Sequence, residues 1–170
     1  MDLTEFIRDI PDFPKKGIIF KDIMPLILDA EAFRFTVDMF CSKLDGIKID
    51  KIVAPESRGF IFGPAIAYKL GTGFAAVRKP GKLPFKTRSK TYELEYGTDT
   101  IEMHEDALNE NENVVIVDDL LATGGTVKAC AELIESFGAT LTGCCFLIEL
   151  SFLHGREKLK PNKIISLIEY

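Results

Sequence analysis

VVIVDDLLATGGT, residues 114–126, sets the architecture of the chain. Val114–Val117 is a short, unbroken apolar run rich in β-branched residues, the pattern of a strand covered on both faces. It delivers two carboxylates, Asp118 and Asp119, at its C-terminal end. The small residues Ala122, Thr123, Gly124, Gly125 and Thr126 then open a helix predicted from about Gly125 to Phe137, stopped at Gly138 and burying Val127, Cys130, Ala131 and Ile134. In that order the elements form a phosphate cradle. Glycines let the backbone approach an anion, free N–H groups at the helix start point at it, and the helix dipole and threonine hydroxyls add to the attraction. Two carboxylates beside such a cradle would repel a polyphosphate they touched directly. They make sense as acceptors for sugar hydroxyls, or as holders of Mg²⁺ through water. The ligand asked for carries a phosphate, a diol and a metal, which describes a phosphorylated ribose. A solvated aspartate pair before a tight Gly-Gly turn is the plain alternative. Neither the Walker A pattern nor the Rossmann G-x-G-x-x-G is present.

Further strands are predicted at Lys51–Ala54, Phe74–Val77, Cys145–Ile148 and Ile164–Ile168, again as continuous apolar runs. Between them, Phe33, Thr36, Val37, Phe40, Cys41 and Leu44 follow a helical period with Asp29 as N-cap. Another helix should begin near Gly59–Phe60 and end at Leu70, with Gly71 just beyond. Pro64 fits there only in the first turn. Strand–helix–strand, twice over, implies an α/β fold: a doubly wound, mainly parallel sheet flanked by helices. Residues 1–28 and 79–104 stand outside this alternation. The first is expected to cap the sheet edge as a hood. The second, dense in charge, Pro, Gly and Thr, reads as a flexible loop region, and such long polar excursions are usually functional. No repeat or linker divides the chain, so residues 1–170 are read as one domain.

Composition narrows the function classes. The chain has 170 residues, 46% hydrophobic and 28% charged, which excludes disordered and fibrous classes. With 21 basic against 26 acidic residues the net charge is −5, so no global field draws it to nucleic acid or an anionic membrane. MDLTEFIRDIPDFPKKG has no apolar h-region, and no apolar run approaches the roughly 18 residues of a membrane span, so a cytoplasmic protein is expected. Cys41, Cys130, Cys144 and Cys145 lack C-x-x-C spacing and read as buried reduced thiols, the adjacent pair facing opposite sides of a strand. Two histidines, His104 and His154, leave little for a zinc site.

A second loop, Ala54-Pro55-Glu56-Ser57-Arg58-Gly59, also lies between a strand and a helix. It could pass for a hydrolase elbow at Ser57. Pro55 stands where that motif needs its first glycine, and a serine triad is hard to build from so few histidines. Arg78, Lys79 and Lys82 form a basic cluster at a strand end, readable as a solvated turn or as an anion contact.

VVIVDDLLATGGT resembles the PRPP (phosphoribosyl pyrophosphate) motif of the type I phosphoribosyltransferases. FPKKGIIFKDIMPLI (13–27), PESRGFIFG (55–63), VRKPGKLP (77–84), TYELEYGTD (91–99) and GREKL (155–159) are similar to the adenine phosphoribosyltransferase branch, in its order and over almost the whole chain. The resemblance implies the type I phosphoribosyltransferase fold with a small N-terminal hood and a flexible catalytic flap. It also implies a Mg²⁺-dependent reaction of PRPP with adenine that gives AMP and pyrophosphate, in a homodimer serving purine salvage. Residues 122–126 would hold the 5′-phosphate, and Asp118 and Asp119 the ribose hydroxyls. Glu56, Ser57 and Arg58 would form a pyrophosphate loop with a cis peptide between Glu56 and Ser57, supplemented by Arg78, Lys79 and Lys82. Glu95, beside Tyr96 on the flap, would exchange a proton with the base, although Glu93 is an equivalent flap carboxylate by sequence. Ile19, Phe20, Lys21 and Leu150 would form the adenine pocket, Phe20 by stacking and its neighbours by main-chain contacts; core packing is the commoner fate of Phe20 and Leu150. Lys21 stands where relatives often carry Arg, which weakens a guanidinium contact there.

Rivals remain at this level: a transferase for another base, with the same cradle and a different hood; a PRPP-sensing regulator that binds without turnover; and an esterase using Ser57, which Ser57→Ala would abolish.

Overall fold

The computed structural model describes residues 1–93 and 97–170. Five strands, β3 (Lys51–Pro55), β4 (Gly73–Val77), β7 (Asn113–Leu121), β8 (Thr140–Glu149) and β9 (Ile164–Glu169), pair in parallel in the order β4-β3-β7-β8-β9. Their continuous apolar runs have a direct cause, because both faces of the sheet are covered. Along β7 and β8, Val114, Ile116, Cys144 and Phe146 point into one core, shared with α4 (Gly125–Glu135). Val115, Val117, Cys145 and Leu147 point into the other, shared with α2 (Ala30–Lys43) and α3 (Gly59–Leu70). Cys144 and Cys145 thus face opposite sides, as the two-residue period of a strand requires. All four thiols are free, and Cys41 is half-buried rather than buried because it sits on the flank of α2.

The second core extends to the N-terminus. There β1 (Arg8–Pro11) and β2 (Ile19–Asp22) form an antiparallel pair, followed by α1 (Met24–Leu28), and Leu3, Ile23 and Leu26 anchor this segment beside α2. Residues 79–104 are not simply a loop: β5 (Thr87–Glu93) and β6 (Thr98–His104) form an antiparallel hairpin. Its signal is present in the sequence as alternation, since Ile101 and Met103 of β6 are buried and join the α4 core. Leu94, Glu95 and Tyr96 lie outside the described residues. Among the described residues no helix is long and apolar enough to cross a membrane.

Several boundaries, and the place of one proline, differ from the sequence reading; β8 starts at Thr140, five residues before the predicted Cys145. β7 runs on to Leu121, so Asp118 and Asp119 lie within the strand rather than at its end. α4 stops at Glu135 with Ser136 as its C-cap, two residues before the predicted end. Pro64 sits inside α3, beyond its first turn; it is exposed, so its missing N–H falls on the solvent side of the helix, where carbonyls can tilt toward water. Asp29 caps α2 as predicted, its Oδ1 accepting the N–H groups of Glu31 at 3.0 Å and Ala32 at 2.8 Å. Asp29→Ala is expected to lower stability by about 1 kcal/mol in chemical denaturation, the usual value of an N-cap. An unchanged midpoint would mean that packing alone holds this helix start.

Candidate active site

The chain steps from β3 to β4 on one side of the sheet and from β7 to β8 on the other, so β3 and β7 meet at the topological switch point, where open parallel sheets bind ligands. A cavity of about 930 Å³ opens there. The turn after β3 and the turn after β7 converge in it, bringing Ser57 and Arg58 opposite Asp118, Asp119 and residues 122–126. Glu56–Ser57 is a cis peptide, where the resemblance places one. Gly124 precedes α4 at φ +77°, a left-handed conformation that a residue with a Cβ enters at a cost. Gly125 has open space around its α-carbon, so a ligand can approach the backbone closely.

The two aspartates occupy different environments. Asp119 is 4% exposed and its Oδ2 lies 3.0 Å from Nε of Arg58. Burial pushes its carboxyl above the usual range, and the Arg58 charge opposes that shift. Among the described residues Asp118 forms no ion pair; burial, and then the charge of Asp119, push its carboxyl well up, and the Arg58 charge opposes this only in part. Its Oδ1 accepts the N–H of Asp119 at 2.9 Å. Among the described residues no cluster of three or more His, Cys, Asp or Glu side chains could cage a metal. With Asp119 committed to Arg58, the donor set fits a Mg²⁺ that keeps its waters and shares carboxylate and substrate oxygens, the usual mode for this ion.

Glu56 lines the cavity and organises the basic cluster. Its Oε1 accepts the N–H of Lys79 at 2.6 Å and its Oε2 accepts Nε of Arg78 at 2.9 Å. Burial pushes its carboxyl up, but these contacts outweigh burial and hold it below the ordinary value. Arg78 also donates to the Lys82 carbonyl at 3.1 Å. Of the three cations, only Lys79 lines the cavity, paired there with Asp99 of the hairpin. Lys79 holds the Asp99 carboxyl low, and the Tyr92 hydroxyl bridges Asp99 at 3.2 Å and Thr126 at 3.1 Å. The hairpin is thereby tied to the phosphate cradle through side chains whose roles the sequence does not announce.

The residues expected to read the base do not line this cavity. Phe20 lies beside it: the Arg58 guanidinium sits 5.2 Å from its ring, joining the base region to Asp119. Ile19 is exposed, and among the described residues β2 pairs with β1 alone, which leaves its other backbone edge without a strand. Lys21 turns its ammonium to Asp9 and to the face of Tyr170. Leu150 packs into the second core, and the apolar wall facing the cavity comes from Phe152 and Leu153, just past β8. Glu93 lines the cavity, while Glu95 and Tyr96 lie outside the described residues.

Residues 27–168 match the family model of the phosphoribosyl transferase domain. The adenine phosphoribosyltransferase of Syntrophotalea carbinolica is 59% identical over 99% of both chains. A crystal structure of adenine phosphoribosyltransferase from Thermoanaerobacter pseudethanolicus superposes with a TM-score of 0.97 at 58% identity, over 99% of this chain and 98% of that one. The Saccharomyces cerevisiae enzyme, crystallised with an imino-altritol bisphosphate and adenine, is 43% identical with a TM-score of 0.93, over 97% of this chain and 96% of that one.

Proposed function

The chain belongs to the adenine phosphoribosyltransferases of the phosphoribosyl transferase domain family, and we propose that it transfers the 5-phosphoribosyl group of PRPP to N9 of adenine, forming AMP and pyrophosphate. The observation that carries this reading is the Arg58–Asp119 pair at 3.0 Å. It joins, across one cavity, the turn suited to a diphosphate and the β7 carboxylates suited to a ribose diol.

The backbone amides of residues 122–126 hold the 5′-phosphate at the start of α4. Asp118 and Asp119 accept hydrogen bonds from the ribose hydroxyls, and Arg58 favours the charged form of Asp119 and aims its carboxyl. The amides after the cis peptide, Arg58 and Lys79 receive the diphosphate, and Lys79 exchanges Asp99 for it. Asp118 and Asp119 would hold Mg²⁺ through water, and the ion would supply neutralisation of the leaving pyrophosphate. The purine N9 bonds to C1′ as the C1′–O bond breaks and its electron pair leaves with pyrophosphate. The proton released at N7 goes to Glu95, with Tyr96 beside it. Closure of the hairpin over the site keeps water from the cationic sugar. Phe20 stacks on the base while the main chain of Ile19 and Lys21 reads its edge. Arg78 and Lys82, turned out of this cavity, suit a contact with a neighbouring subunit's substrate in a homodimer. The reading extends to purine salvage in the cytoplasm.

Turnover with PRPP and Mg²⁺, offering adenine, hypoxanthine, guanine, xanthine and orotate separately, tests the reading. AMP from adenine alone is the expected result, and the same preparation should sediment as a dimer. Product from another base would overturn the base pocket. Bound PRPP without any product would replace the enzyme with a regulator.

A further inference from the structure

Behind the phosphate cradle lies a short 3₁₀ turn, Gly155–Leu159, to which nothing in the proposed reaction gives a task. Its first residue touches the cradle backbone to backbone. A Cβ on Gly155 would lie 2.2 Å from the Ala122 carbonyl oxygen, and a Cβ on Gly124 would lie 2.6 Å from the Gly155 carbonyl oxygen. Real Cβ atoms do not approach other atoms so closely, so the two glycines set a contact that no side chain could enter. The cradle's left-handed Gly124 is therefore backed by main chain, not by solvent.

The turn is itself pinned at both ends. Leu159 is buried in the core beneath α4, together with Val127 and Cys130. Arg156 forks onto Glu149 at the end of β8, with Nε donating to Oε1 at 2.9 Å and a terminal nitrogen donating to Oε2. Glu149 is 4% exposed, and the Ser166 hydroxyl on β9 donates to the same carboxylate. A buried carboxylate with a planar two-point partner fixes position as well as charge. Sheet end, ion pair, turn and cradle thus form one continuous chain of contacts.

We infer that Gly155 and the Glu149–Arg156 pair are positioning residues for the 5′-phosphate site: they hold the amides of residues 122–126 in the shape that accepts a phosphate. This inference rests on reading residues 122–126 as the 5′-phosphate cradle. The pyrophosphate turn at Ser57–Arg58 is on the other side of the cavity and does not depend on the pair.

The test compares two fragments of the substrate, ribose 5-phosphate and Mg-pyrophosphate, by titration calorimetry. Gly155→Ala is expected to raise the Kd for ribose 5-phosphate at least about tenfold, since a displacement near 1 Å in a binding constellation costs up to roughly 100-fold. Arg156→Lys keeps the charge but loses the fork, and it should raise the same Kd severalfold, so it carries the test if Gly155→Ala fails to fold. The Kd for Mg-pyrophosphate should stay unchanged in both variants. Unchanged ribose 5-phosphate binding, or equal weakening of both fragments, would overturn the inference. Failure of the wild-type protein to bind ribose 5-phosphate would overturn the cradle reading beneath it.

Discussion

Glu95→Gln is expected to lower kcat at least tenfold, within the roughly 10²–10⁴-fold range of general acid–base contributions, while PRPP still binds. The amide keeps the size of the carboxylate and can still hydrogen-bond, but it cannot take up the N7 proton as N9 bonds to C1′. The loss should therefore fall on the chemical step and leave the cradle, the diol and the diphosphate contacts intact. Glu93 supplies the control. It lies at the end of β5, paired with Thr98, and it lines the cavity. Glu93→Gln should keep turnover within about threefold, because a side chain that contacts the ground state and the transition state alike leaves kcat unchanged. Steady-state kinetics with saturating adenine, joined to a PRPP titration, separates the alternatives. Wild-type turnover in Glu95→Gln with a collapse in Glu93→Gln would move the proton to Glu93.

What the sequence made legible follows from how local each signal is. The five parallel strands and the helices α2, α3 and α4 each announce themselves within one window, through unbroken apolar runs, a 3.6-residue period, an Asp cap or a closing Gly. The cradle is legible for the same reason, since its acids, glycines and helix start are contiguous. The hairpin of β5 and β6 was harder to see. Its charged outer positions and surrounding Pro and Gly mask the alternation that buries Ile101 and Met103. Partners set by long-range packing could not be read at all. Nothing in the sequence says that Glu56 serves Arg78 and Lys79, that Tyr92 reaches Thr126, or that Gly155 backs Ala122, because these contacts join segments 22 to 34 residues apart. Leu150 shows the same limit at short range. One turn separates it from Phe152, yet it faces the core while Phe152, 65% exposed, faces the cavity.

Asp118→Asn should make the protein more stable and a poorer binder of PRPP. The carboxyl is pushed well up by burial and then by the adjacent Asp119 charge, while Arg58 is spent on Asp119. A folded-state value above the unfolded one means that the neutral form is favoured by folding, so this group supports the fold below the unfolded carboxylate range and loses that support as pH rises through the folded value. At pH 7, above the unfolded value, holding this carboxyl in the sheet costs stability, and asparagine removes that cost while its amide oxygen can still accept the Asp119 N–H. The denaturation midpoint of the free protein should therefore rise at pH 7, and the gap to wild type should close near pH 4, where an unfolded aspartate protonates. PRPP affinity should fall by about 1.5–3 kcal/mol, or roughly 10- to 150-fold, the range for hydrogen bonds to a charged acceptor. A lower midpoint at pH 7 would show that Asp118 serves the fold. An unchanged PRPP Kd would remove it from the ribose contacts. Both movements together would mean that the chain keeps a buried carboxyl inside its sheet, at a standing cost in stability, because the sugar requires it there.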